Sequence, residues 1–129
     1  MRFYAQGSQS GYIQINTSST TYSTSSDYRL KENVVSISDG ITRLKQLKPY
    51  RFNFKNDSST TLDGFYAHEA SEVVPESVVG TKDAVDSEGN IDPQGIDQSK
   101  LVPLLTAALQ EAVTKIETLE SKVATLEGS

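Results

Sequence analysis

"LVPLLTAALQEAVTKIETLESKVATLE", residues 101 to 127, decides the architecture of this chain. Val102, Leu109, Ile116 and Val123 recur every seven residues, and Leu105, Ala112, Leu119 and Leu126 each follow three residues later. Spacings of 3 and 4 alternating over nearly four heptads make a coiled-coil seam, a narrow stripe that is buried only against other helices. Gln110, Glu111, Thr118, Glu120 and Ser121 keep the flanks polar, which argues against the broader apolar face of a helix packed on its own domain. Pro103 fits only the first turn, with Asp97 or Ser99 as cap. Val and Ile at one seam position with Leu at the other nominally favour two strands.

Upstream of the helix the pattern is mixed. "SDGITRLKQL" (38–47) places Ile41, Leu44 and Leu47 at helical spacing behind an N-capping Ser38 or Asp39, and Pro49 stops it. "YRFNF" (50–54) alternates as a half-buried strand, and "NDSST" (56–60) reads as the turn after it. "LDGFYAHEASEVVPESV" (62–78) predicts a short strand through Phe65 and Tyr66, then a short helix ended near Pro75. Residues 78–96 read as a hairpin with its turn at Glu88, Gly89 and Asn90. The expected fold is α+β, with short helices and hairpins, a β-structured N-terminal segment and a long coiled-coil helix.

The N-terminal segment is a different polymer. All 17 acidic residues lie at or after Asp27, whereas residues 1–26 carry one charge, Arg2, and 11 Ser or Thr. Ile13 and Ile15 alternate with Tyr12, Gln14 and Asn16 in the period of a strand, yet so few apolar residues cannot bury a core. The segment is expected to be the end of a β-rich stalk covered by other chains. The domain boundaries that follow are 1–26, 27–98 and 99–129.

A net charge of -5 argues against nucleic acid as the main partner, since phosphate binding needs a basic surface. No apolar run approaches the ~20 residues that span a bilayer, so no membrane role is expected. Without cysteine and with one histidine the chain offers no thiolate or His-rich metal set, and "DAVDSEGNID" (83–92) lacks the terminal Glu of a calcium loop. No metal and no cofactor are predicted. There is no Gly-rich Lys-Ser/Thr phosphate loop, although a nucleotide site assembled between subunits would leave no such signature.

Chemistry concentrates where composition changes, at "SSDYRLKEN" (25–33). Ser26 and Lys31 stand five positions apart with Asp27 beside the serine, so a hydroxyl, an amine and a carboxylate can converge in one turn. Ser–Lys is a known nucleophile–base pairing, but an amine becomes a base only where desolvation or a neighbouring cation lowers its pKa from about 10.4. Arg29 is the local cation. Attack by a serine hydroxyl on its own carbonyl closes a four-membered ring, and on the preceding carbonyl it cuts the bond before the serine. A water activated by Lys31, or the Asp27 carboxylate attacking through a six-membered ring, are the alternatives for the Ser26–Asp27 bond.

"SDYRLKENVVSI", "LKPYRFNF", "GFYAHEASEVVPESV" and "KLVPLLTAALQEA", in that order, resemble the C-terminal intramolecular chaperone domain of bacteriophage tail fibres, tailspikes and endosialidases. The likeness runs from about Ser26 to the C-terminus and rests on Ser26, Asp27, Arg29, Lys31 and Asn33 of one motif and Gly64, Phe65, Ala67 and Glu69 of another. The resemblance implies a homotrimer that directs folding of the upstream fibre or spike segment of its own chain, then cuts itself off between Ser26 and Asp27. It implies work in the host cytoplasm during virion assembly, with the upstream product joining the virion tail. Ser26 and Lys31 are the implied dyad, with the nucleophile open between Ser26 and Asp27. Glu69 is a candidate to orient Lys31 or carry a proton, with Arg29, Asn33 and His68 as supporting residues. The implied trimer overrides the two-stranded preference of the seam. The competing expectation is a permanent trimeric tip whose Ser–Lys motif is inert.

Overall fold

The structure is a computed structural model and describes residues 1–128. Ser129, the last residue of the expected coiled-coil segment, lies outside the described residues. The chain divides into two compact units, residues 1–36 and 37–129.

The first unit is an antiparallel meander of β1 (Arg2–Ala5), β2 (Ser8–Ile15) and β3 (Thr20–Thr24), with β2 central. The alternation read from residues 12–16 is real: Ile13 pairs with Tyr22 and Ile15 with Thr20. Asn16 ends the strand by accepting the backbone N–H groups of Ser18 and Ser19 at 3.0 and 2.9 Å, an Asx turn. As the composition required, this sheet buries no large side chain, and Gly11 is its one buried residue.

The second unit is α+β as expected: α1 (Gly40–Leu44), a β4–β5 hairpin (Tyr50–Phe54 and Asp57–Gly64), α2 (Ala67–Val73), a β6–β7 ladder (Val78–Val79 and Gly95–Ile96) and α3 (Val102–Glu127). Two local readings need correction. Asp57 to Thr60 are strand, and the turn is confined to Lys55 and Asn56: Phe54 pairs with Asp57 and Phe52 with Leu62, so the Ser/Thr run is carried as an irregular stretch between two paired ends of the ladder. Phe65 and Tyr66 are not strand: β5 ends at Gly64, and Tyr66 takes the N-cap position of α2. The third hairpin forms as read, with Val78 opposite Ile96, a bridge between Val85 and Ile91, and Gly89 at φ 83°, where a side chain would be strained.

The core is small. Val73, Val74, Leu101 and Leu104 form it, with Leu47 and Phe65 packed against it and Ala70 and Ala108 buried nearby. Ser77, wholly buried, donates its hydroxyl to the Val74 carbonyl at 2.7 Å, so no polar group is stranded there. Asp97 caps the 3-10 turn Gln98–Leu101 by accepting the Ser99 N–H at 3.1 Å, and that turn runs directly into α3 with Pro103 in its first turn.

The start of α3 therefore does pack on its own unit, through a stripe of Leu101, Leu104 and Ala108 that lies beside the heptad seam. The seam itself faces away from that core. Val102, Leu105, Leu109, Ile116, Leu119 and Val123 are 44–66% exposed in the single chain, and Ala112 is half-buried. α1 is held against α3 by a contact that local rules do not give. Asp39 stands at the N-cap but makes no capping bond, and the Ile41 N–H donates instead to Glu111 Oε2 at 3.0 Å.

Candidate functional site

The Ser26–Asp27 bond lies between two fixed points of the first unit. Upstream, Ser25 is pinned to β2, its N–H donating to the Ser10 carbonyl at 2.9 Å and its hydroxyl to the Gln9 carbonyl at 2.7 Å. Downstream, Asp27 opens a single 3-10 turn, Tyr28–Leu30, closed by Leu30 N–H to the Asp27 carbonyl and Lys31 N–H to the Tyr28 carbonyl, both at 3.1 Å. A turn of three residues brings position 31 back beside position 26, and Lys31 Nζ donates to Ser26 Oγ at 2.7 Å. Asn33 then turns the chain in the left-handed region, φ 53°, where Asn is among the few side chains that sit readily.

Asp27 is engaged by Arg29 on every side. Oδ1 accepts the Arg29 backbone N–H at 2.9 Å and Nε at 3.0 Å, while Oδ2 accepts Nη2 at 2.7 Å. This bidentate pair holds the Asp27 carboxyl below the usual range, first through the guanidinium and then through the backbone donor, and raises Arg29. Arg29 is thus a neutralised cation. All five residues from Ser26 to Leu30, and Lys31 with them, are exposed in the single chain.

Glu69 and His68 sit in the second unit, in the first turn of α2, where an acid also meets the positive end of the helix. The lysine that pairs with Glu69 is Lys48, whose Nζ lies 3.0 Å from Oε1. Lys48 chiefly lowers the Glu69 pKa against the opposing effect of desolvation, and Glu69 raises both Lys48 and the Tyr50 hydroxyl. Glu69 Oε2 is buried without a hydrogen-bond partner. Tyr50 and Tyr66 pack at 5.0 Å between ring centroids, and His68 stacks on Tyr66 at 5.8 Å. Lys48 and Tyr50 escaped the sequence reading, since a pair 21 residues apart across a hairpin has no local signature.

Because the folded Glu69 pKa is depressed, its pairing stabilises the fold above the unfolded value of about 4.3 and that contribution is lost as pH falls through the lower folded value. Lys48, being raised, keeps its share until pH rises through its folded pKa. Glu69→Gln is expected to lower the thermal midpoint at pH 7 and to flatten its fall below about pH 4, measured by circular dichroism across pH. An acid limb identical to wild type would show that Glu69 carries no such linkage.

Residues 26–79 match the family model described as chaperone of endosialidase, in peptidase family S74. The match begins at the serine of the Ser–Lys pair and ends at β6. Comparison with curated proteins finds no match.

Proposed function

We propose that this chain, which carries a chaperone-of-endosialidase domain over residues 26–79, folds a phage tail fibre or spike as a trimer and then cuts itself free between Ser26 and Asp27. The domain is an intramolecular chaperone of the kind released by autoproteolysis, as in endosialidase, and the family implies a self-cleaving serine peptidase. Ser26 and Lys31 are the dyad of this reading, and their 2.7 Å hydrogen bond is the observation that carries it. Residues 1–26 are the end of the fibre, 27–98 the chaperone core and 99–129 the trimerising helix. The work is done in the host cytoplasm, and the upstream product joins the tail.

The division of labour follows from chain entropy. A β-structure shared among three chains pays the cost of closure before any contact rewards it. Three helices joined along the seam of α3 raise the local concentration of the upstream strands and align them, which turns assembly into an intramolecular step. Cutting afterwards removes the folding aid and leaves the fibre kinetically trapped.

The test is the intact mass of denatured wild type, Ser26→Ala and Lys31→Ala, with native mass alongside. Cleavage of the wild type after Ser26, with both variants whole and trimeric, is the expected result, a fall of at least a hundredfold in rate for each variant by analogy with the loss of a general base. A wild type that stays whole as a trimer supports the permanent tip instead, a reading to which the solvent exposure of the dyad lends weight.

A further inference from the structure

Two routes to the Ser26–Asp27 bond are open to one chain on ring geometry: a water activated by Lys31, or the Asp27 carboxylate. The geometry of Asp27 separates them. Its two oxygens accept three hydrogen bonds from Arg29, two of them from the guanidinium in the planar fork that suits a carboxylate. A carboxylate so held cannot rotate onto the carbonyl that precedes it without giving up that pair. The same contact shapes the site, because the Oδ1 bond to the Arg29 N–H caps the 3-10 turn that returns Lys31 to Ser26.

We propose that Arg29 is a positioning residue for self-cleavage, acting through Asp27: the clamp keeps the turn closed with Lys31 Nζ on Ser26 Oγ and withholds the Asp27 carboxylate from the scissile carbonyl. This rests on the cleavage reading above. The reaction that remains is hydrolysis. The free amine of Lys31, anchored by Ser26, takes a proton from water, and the water oxygen bonds to the Ser26 carbonyl carbon. The Ser26–Asp27 C–N bond then breaks, and the proton on Lys31 passes to the Asp27 nitrogen. Ser26 leaves with a carboxyl group and Asp27 with a free amine. The Arg29 charge is matched by Asp27.

The experiment follows intact mass over time during cell-free synthesis of the whole chain, quenched in acid, across a pH series. Wild type is compared with Arg29→Gln, Arg29→Lys, Asp27→Asn and the Arg29→Gln/Asp27→Asn double variant, and thermal unfolding of each is recorded to separate lost fold from lost rate. Each single substitution is expected to lower the plateau rate roughly tenfold, the scale on which a misplaced catalytic group is felt. The double variant should be no slower than either single one, Arg29→Lys should recover part of the rate with its single point charge, and the midpoint of the pH–rate curve should not move. An Arg29→Gln chain as fast as wild type overturns the clamp, and so do single effects that multiply in the double variant. A shifted midpoint also overturns it, because Arg29 would then act as a charge on Lys31. A wild type that never cleaves overturns the cleavage reading itself, and the clamp falls with it.

Discussion

Gly40→Ala is expected to be among the most destabilising single methyl additions in this chain. Gly40 opens α1 and is buried, and a Cβ there would stand 2.7 Å from the Ala108 nitrogen and 2.9 Å from both the Ala107 carbonyl carbon and the Ala108 Cα. These are backbone atoms inside a 26-residue helix, so they cannot yield as the end of a flexible side chain would. α1 must lift away instead. That displacement breaks the Ile41 N–H bond to Glu111 and the bonds from Arg43 Nε and Nη2 to the Val73 carbonyl, at 3.3 and 2.7 Å, which tie α1 to the core. Overpacking of this kind costs about 1–3 kcal/mol and loss of a helix cap about 1 more. For a unit of this size the thermal midpoint should fall by roughly 10–25 °C, read by circular dichroism at 222 nm. Ala108→Gly should not rescue the variant, since the clash is with backbone rather than with the Ala108 methyl. Rescue, or a shift of only a degree or two, would mean that the Gly40 backbone does not rest on the backbone of α3 at Ala107 and Ala108.

What the sequence could and could not say about this fold divides along the range of the interactions. The long helix, the Tyr50–Phe54 strand and the hairpin around Gly89 rest on periodicity and turn chemistry within a few residues, and each forms, although β4 is not half-buried as expected: only Phe52 is partly covered, and Tyr50 and Phe54 are exposed. The Ser/Thr run after Asn56 has turn composition, but it is held as strand by the pairs on either side of it, Phe54 with Asp57 and Phe52 with Leu62. Asp39 satisfies the local rule for a cap, yet Glu111, 72 residues on from it in sequence, supplies the bond to Ile41 from another helix. Residues 101, 104 and 108 repeat with nearly the same spacing as 102, 105 and 109, so periodicity finds two adjacent stripes without saying which meets its own unit. The structure assigns the first to the core and leaves the second exposed. At the candidate site the Ser26–Lys31 contact lies within one turn and was legible, whereas the Lys48–Glu69 pair needed the β4–β5 hairpin to bring it together.

Ile116→Lys is expected to dissociate the assembly outright, and it tests the exposed stripe. α3 extends about 39 Å, and only its first turns have a core of their own to meet. Beyond Ala108, Leu109, Ile116, Leu119 and Val123 line up along one side of the helix, each at least half exposed. Burying such a side chain is worth about 1.5–3 kcal/mol, so one helix forgoes several kcal/mol that a bundle recovers at every layer. Ile116 lies mid-seam, and in a trimer its substitution would place three ammonium groups around one axis, at a large desolvation cost. Sedimentation equilibrium at micromolar concentration should show a trimer for wild type and a monomer for Ile116→Lys, with the monomer keeping its α1–α3 packing. On the proposed function, self-cleavage should then be lost although Ser26 and Lys31 are intact, because cutting follows assembly. A trimer that survives the lysine would place the contact between chains elsewhere. A monomer that still cleaves would uncouple the chemistry from assembly, so that a fibre could lose its folding aid before its strands had met.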